Sequence, residues 1–235
     1  MARVLIIIPT YNERENLPAI LSAVESVFQC DFLVIDDNSP DGTGALADEI
    51  AAANPRVKVL HRPGKQGLGT AYLAGFRYGL RQGYDYLFEM DADFSHDPKY
   101  LQPMLDRAIS GADVVIGSRW VAGGGTKNWG MGRQVISRGG SLYARTILGV
   151  PIRDLTSGFI LYRRNALEAL DLESVRSTGY SFQIEMKYRA IKHGFRVEEV
   201  PITFVDRRVG ASKMSRRIFV EALTRVWKMR LGLGG

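Results

Sequence analysis

Leu87-Phe88-Glu89-Met90-Asp91-Ala92-Asp93 is a short apolar run that ends in two carboxylates one residue apart. In extended chain, residues i and i+2 point to the same side, so Asp91 and Asp93 are expected to converge on one hard cation where the strand runs out. Carboxylate oxygens suit Mg²⁺ or Mn²⁺, which keep several waters and share their remaining sites with substrate phosphates. A polar turn with two solvated acids is the alternative for an isolated Asp-x-Asp. The surrounding pattern favours the cation, because open α/β sheets bind ligands outside the carboxyl ends of their strands.

On the N-terminal side, strand and helix patterns alternate with little filler. Val4 to Ile8 reads as a buried strand, and Arg14 to Phe28 as a helix with Leu17, Ile20, Leu21, Val24 and Val27 on one face. Phe32 to Ile35 is a second strand, closed by the turn-forming Asp36-Asp37-Asn38-Ser39-Pro40-Asp41-Gly42. A helix over Ala45–Ala53, a strand over Val57–Leu60, the turn Gly64 to Gly69 and a helix to about Gln82 complete the run. On the other side, Pro98–Ser110 reads as a helix and Asp113–Gly117 as a strand. Such a βαβα series builds a mostly parallel central sheet with helices on both faces.

The rhythm breaks after Arg119. Val121 to Gly140 is rich in glycine among polar and basic residues, and is expected to be a working loop. Beyond it, Phe159–Tyr162 reads as a strand and Phe182–Lys192 as a helix. Val197–Val205 reads as a last strand, where Pro201 implies an edge position or a bend. These elements form one catalytic-size domain over residues 1–214, followed by a basic amphipathic segment over 215–235.

The net charge of +6 points to an anionic partner: nucleic acid, phosphorylated substrate or acidic membrane surface. Cys30 is the single cysteine, which excludes an internal disulfide and is compatible with a reducing cytosol. The Val4–Ile8 run is too short for a signal peptide, and no window approaches the roughly 18 apolar residues of a membrane span. A dinucleotide site would need Gly-x-Gly-x-x-Gly after the first strand, where the chain has Pro9-Thr10-Tyr11-Asn12-Glu13. The Gly64 to Gly69 turn lacks the order of a P-loop; its glycines suit either close backbone approach to a neighbour or ligand, or a plain helix entry.

Several separated segments resemble one family. Ile7 to Glu13, Val34 to Thr43 and Glu89 to His96 are similar to the inverting family-2 glycosyltransferases of GT-A fold. Gly117-Ser118-Arg119, Asp154 to Phe159, Phe204 to Arg207 and Gly210 to Lys213 narrow the resemblance to the dolichol-phosphate (polyprenol-phosphate) mannosyltransferases. The matching segments stand in family order over roughly residues 4 to 215. Some relatives carry transmembrane helices after the catalytic domain, which this sequence does not contain. Some also supply a Gln as third metal ligand, where this chain has Ser95.

The resemblance implies a GT-A nucleotide-sugar pocket, GDP-mannose as donor, a polyprenyl phosphate as acceptor and Mg²⁺ or Mn²⁺ as cofactor. Pro9, Tyr11 and Glu13 would line the nucleoside, with Ile35 and Asp37 bordering base and ribose. Asp91, Ala92 and Asp93 would hold the metal and diphosphate, and Arg119, Arg207 and Lys213 would contact phosphates. Arg119, Arg133 and Ser137 would meet the acceptor phosphate. The alternative for the basic residues is solvated surface charge, and for Asp36 and Asp37 a helix-entry turn.

A phosphate acceptor is mostly dianionic at neutral pH and needs no general base, so His96, Asp154 and Glu185 are not assigned that role. From Ser215 to Leu231, Phe219, Ala222, Leu223, Val226 and Trp227 recur at helical spacing among basic residues. That pattern fits a helix lying on anionic lipid, or an ordinary amphipathic helix packed on the domain. The implied location is the cytoplasmic face of a membrane, peripherally attached, with a separate anchoring subunit compatible with it. Two readings stand beside this one: a polyprenol-phosphate glucosyltransferase using UDP-glucose, and a basic nucleic-acid-binding α/β domain.

Overall fold

The computed structural model describes residues 2–175, 177, 179–206 and 224–232. β1 (Val4–Thr10), β2 (Asp31–Asp36) and β3 (Val57–His61) alternate with α1 (Leu17–Glu25) and α2 (Thr43–Ala53). α3 (Leu68–Arg81) leads to β4 (Tyr86–Glu89). α4 (Leu101–Ile109), entered through a 3-10 turn at Pro98–Tyr100, leads to β5 (Val114–Ser118). β6 (Gly125–Lys127), α5 (Met131–Leu148), β7 (Ile160–Arg163), α6 (Arg164–Ala169), α7 (Gly179–Lys192), β8 (Val197–Pro201) and β9 (Thr203–Val205) follow. Residues 224–230 are helical.

Seven strands form the central sheet in the order β3-β2-β1-β4-β7-β5-β8. All neighbours run parallel except β7, which is antiparallel to β4 and β5 on either side of it. Strands buried on both faces read as continuous apolar runs, and β1 shows why. Leu5 and Ile7 enter the core beneath α3 and α7, whereas Val4, Ile6 and Ile8 enter the core beneath α1 and α4. Gly75 lets α3 lie close on the sheet: a Cβ there would stand 2.6 Å from Ile7 Cγ2.

The antiparallel strand decides where the site forms. Parallel β4 and β5 deliver their carboxyl ends to one edge of the sheet. β7 starts from that same edge, with Ile160 beside Glu89 and Ile116. The loop before β7, Asp154 to Phe159, is thereby placed against the residues that follow β4 and β5.

The glycine-rich stretch after Arg119 is not a loop throughout. It contains β6, paired with β9 in a separate two-stranded sheet, and the first ten residues of α5. Glycine disfavours helix interiors by about 1 kcal/mol each, which hid the helix from local reading. Its C-terminal half is anchored by buried Ser141, Ala144 and Leu148, and a helix propagates readily once nucleated. Pro201 does sit at an edge: it ends β8, the last strand of the sheet, and Ile202 separates it from β9.

Candidate active site

β4 stops at Glu89, so Asp91 and Asp93 are not placed by strand alternation, as the sequence pattern suggested. They sit in a bend that follows, with Phe94 in the left-handed region at φ 62°. Asp91 is partly exposed, whereas Ala92 and Asp93 are buried. Asp91 Oδ1 accepts a long hydrogen bond from Tyr72 (3.4 Å), and Asp93 Oδ1 accepts one from the Ser95 amide (3.1 Å).

His96 fixes the bend from below. Its Nδ1 accepts the amide N–H of Asp91 at 3.1 Å, which leaves the ring proton on Nε2. The imidazole stacks on Phe159 at 4.8 Å and meets Phe204 edge-on at 5.6 Å. Burial pushes its pKa down to about 4, against the opposing pull of Asp93. A neutral imidazole whose lone pair is already engaged is a structural acceptor.

Arg119, the first residue after β5, is held with little freedom. Asp154 accepts from its Nε and Nη2, each at 2.7 Å, and from its backbone N–H at 2.9 Å. Thr156 Oγ1 accepts a further bond from Nη2. Burial alone would raise the Asp154 carboxyl, but the Arg119 guanidinium holds it below the ordinary carboxylate range. The paired edge leaves Nη1 able to donate elsewhere. Aromatic rings surround the cation, with Trp120 at 5.3 Å and Trp129 and Phe204 at 5.5 Å from Cζ.

Trp129 also carries Arg133, whose Cζ lies 4.1 Å from the ring, so two guanidinium groups share one indole. Arg133 Nη1 donates to Asp206 at 2.7 Å. Ser137 follows one turn later on α5, at the i+4 position that shares a helix face with Arg133. Phe204 touches Trp129, Arg119 and His96, and so ties the acidic bend to the start of α5. Trp120 and Trp129 escaped the sequence reading, and Phe204 stood in a family segment without a role, because nothing local distinguishes a site aromatic from a core one.

At the far end of the site, Pro9 ends up paired with Ile35 across β1 and β2. Tyr11 is partly exposed, with Lys65 Nζ 4.5 Å from its ring centre, and Glu13 accepts from Asn16 Nδ2 at 2.8 Å. The Ile35 side chain is fully buried in the core, packed near Gly75. Asp37 is gripped by Arg62 through both oxygens, at 2.6 and 2.7 Å. Asp36 serves the turn: it accepts from Thr10 Oγ1 and from the Ser39 amide and hydroxyl. Arg207 and Lys213 lie outside the described residues.

Among the described residues, no three His, Cys, Asp or Glu side chains gather as a metal centre supplied by protein alone. Asp91 and Asp93 stand beside Ser95, whose buried Oγ finds no hydrogen-bond partner among those residues. A small oxygen set of this kind fits a hard divalent ion that keeps waters and shares substrate phosphate.

A model of the Glycosyl transferase family 2 matches residues 5–171. This chain belongs to that family. Curated relatives extend the likeness over nearly its whole length. The polyprenol monophosphomannose synthase of Mycolicibacterium smegmatis is 55% identical over 232 residues, spanning 97% of this chain and 88% of that protein. The undecaprenyl-phosphate mannosyltransferase of Micrococcus luteus is 53% identical, spanning 97% and 94%. Among solved structures, the glycosyltransferase resembles glucosyl-3-phosphoglycerate synthase from Mycobacterium tuberculosis. In its complex with Mn²⁺, UDP and glucosyl-3-phosphoglycerate the TM-score is 0.69, at 16% identity over 98% of this chain and 80% of that one. At that identity the likeness is one of fold, and the fold is GT-A.

Proposed function

We propose that this glycosyltransferase moves mannose from GDP-mannose to a polyprenyl phosphate, with inversion at the sugar and without a protein base. The observation that carries the reading is the construction of α5. Arg133 and Ser137 share one face with buried Ser141, Ala144 and Leu148, by their four- and three-residue spacing. Met131, Val135 and Leu142 recur on another face and are 83%, 71% and 61% exposed. One face of the helix thus offers phosphate ligands beside Arg119, and the other offers apolar surface to water. That division suits a phosphate joined to a long hydrocarbon. The names of the two mannosyltransferase relatives agree with it.

In donor cleavage the anomeric carbon becomes cationic and the nucleoside diphosphate leaves as an anion. Asp91 and Asp93 would hold a divalent ion, Mg²⁺ or Mn²⁺, which neutralises the developing charge on that leaving group. The Mn²⁺ and UDP in the structural neighbour are consistent with an ion of this class. Arg119 is oriented before substrate arrives, so its charge can act without reorganisation. Arg207 and Lys213 are proposed to add to the diphosphate contacts, and Pro9, Tyr11, Glu13, Asp37 and Ala92 to border the nucleotide, whereas Ile35, expected there from the resemblance, packs in the core behind them. With its second pKa about 6, the acceptor phosphate supplies its own nucleophile. His96 and Asp154 are both committed to structural hydrogen bonds, in keeping with a base-free reaction.

No helix among the described residues is long and apolar enough to cross a membrane. Attachment at the cytoplasmic face is proposed to be peripheral, through the apolar side of α5 and the net positive charge of the chain. The segment from Ser215, with Arg216, Arg217, Phe219, Ala222 and Leu223, lies outside the described residues up to Thr224. In the described part Val226 is buried in the core and Trp227 is half exposed. A separate anchoring subunit is compatible with this arrangement.

A donor panel of GDP-mannose, UDP-glucose and UDP-N-acetylglucosamine, with a polyprenyl phosphate and divalent metal, tests the assignment. Transfer from GDP-mannose at a rate at least tenfold above the others is expected. Preference for a UDP sugar would overturn the donor, and failure of every donor would overturn the acceptor.

A further inference from the structure

Lys187 lies in the middle of α7 and is fully buried. Its Nζ donates to the backbone carbonyls of Leu155 (2.8 Å) and Ser157 (2.7 Å). These belong to the irregular loop before β7, where no strand ladder offers the carbonyls a partner, and buried carbonyls require donors. Among the described residues, the same loop supplies every hydrogen bond that orients Arg119: two from its side chain and one from its backbone N–H to Asp154, and one to Thr156. A second tether runs from Ser157 Oγ to the carbonyl of Gly117 (2.6 Å), two residues before Arg119. One turn earlier on α7, Gln183 Nε2 donates to Glu89 Oε2 (2.5 Å), two residues before Asp91. A single helix therefore braces both halves of the site.

We infer that Lys187 is a positioning residue for Arg119, fixing the loop that sets the guanidinium at the phosphate-binding edge of the site. The inference rests on the reading of Arg119 as a phosphate ligand. Among the described residues the hydrogen bonds of Lys187 run to Leu155 and Ser157 and not to the acidic bend, so its influence on substrate passes through that loop. Burial pushes its pKa down to about 7, against Asp154 and Glu89, yet an uncharged amine still has two hydrogens for two carbonyls. The brace thus holds in either protonation state. A displacement of about 1 Å in a group that binds reacting phosphate costs on the order of 10²-fold in rate.

The test is a double-mutant cycle on the full chain, using Arg119→Lys, Lys187→Met and the pair, with steady-state kinetics in both substrates. Each single change is expected to lower kcat/KM for polyprenyl phosphate at least tenfold and to raise the acceptor KM. The pair should be no worse than the weaker single variant, because both remove the same placement. Multiplying effects would overturn the inference, as would a Lys187→Met enzyme with reduced kcat and unchanged acceptor KM, the signature of a smaller folded fraction. If Arg119→Lys behaves as wild type, the reading of Arg119 as a ligand fails first and takes the inference with it. Should Lys187→Met not fold, Ser157→Ala loosens the same loop and replaces it in the cycle, with additivity again overturning the inference.

Discussion

Arg62 grips both carboxylate oxygens of Asp37, at 2.6 and 2.7 Å, with the two side chains only 8% and 10% exposed. The guanidinium also donates to Thr70 Oγ1 and the Gly67 carbonyl, so it joins the end of β2 to the start of α3. Removing one partner of a buried pair leaves an uncompensated charge, which costs about 3–5 kcal/mol. Arg62→Ala should lose stability of that order in denaturant titration. The Arg62→Ala, Asp37→Ala double variant should lose less than the sum of the singles, and a simple sum would show that the pair is not coupled.

Asp91→Ala should abolish transfer, by at least about 10²-fold, the scale set by loss of one preorganised charge-stabilising group. Because Asp91 is partly exposed, its melting temperature should stay close to wild type. Asp93→Ala should be equally inactive and less stable, since it also deletes the acceptor of the Ser95 amide. Chelator should stop the wild-type reaction reversibly. Full activity of Asp91→Ala in metal-free buffer would end the metal proposal.

His96 gives a pH signature in stability rather than in catalysis. Its pKa falls from the ordinary 6.5 to about 4 on folding, chiefly through burial. Between those values the unfolded chain binds a proton that the folded chain does not. Stability should therefore fall as pH drops from about 6.5 to 4, with a slope approaching about 1.4 kcal/mol per pH unit from this group. His96→Gln keeps an acceptor for the Asp91 amide and should flatten that slope while retaining activity within about tenfold. A loss of several orders of magnitude without unfolding would reinstate a catalytic histidine.

Met131→Glu with Val135→Glu should weaken binding to anionic liposomes and reduce transfer to a long polyprenyl phosphate more than to a short soluble one. Both side chains are exposed, so the stability cost should stay within about 0.5 kcal/mol. Binding should also weaken with salt, as screening at a Debye length of about 10 Å removes headgroup attraction. Trp227→Glu should act in the same direction, whereas Val226→Glu should unfold its surroundings because Val226 is buried in the core. Unchanged liposome binding in the α5 variant would remove that helix from the lipid interface.

The alternation of strands and helices up to β5 was legible because each element is short and its apolar spacing local. The acidic pair was legible as well, since residues two positions apart in sequence stay close in any backbone conformation. Their geometry was not: β4 ends at Glu89, and a bend, rather than strand alternation, sets Asp91 and Asp93. Arg119 was picked out from the sequence, but the partner that fixes it, Asp154, stands 35 residues away. Lys187 and Arg62 gave no signal at all, because a buried cation cannot be told from a surface one without knowing what covers it.

Sequence by itself determined the βα order up to β5, the place of the acidic pair and the family, and narrowed Pro201 to an edge position or a bend. Each of these rests on short local patterns of residue types, the family on several of them standing in order along the chain. Tertiary structure alone decided that β7 runs antiparallel between β4 and β5, which carries the Asp154–Ser157 loop to Arg119. It also decided that α5 is helical through its glycines, held from its buried end. Both outcomes depend on which surfaces are covered together, and burial between distant segments leaves no periodic trace in the chain.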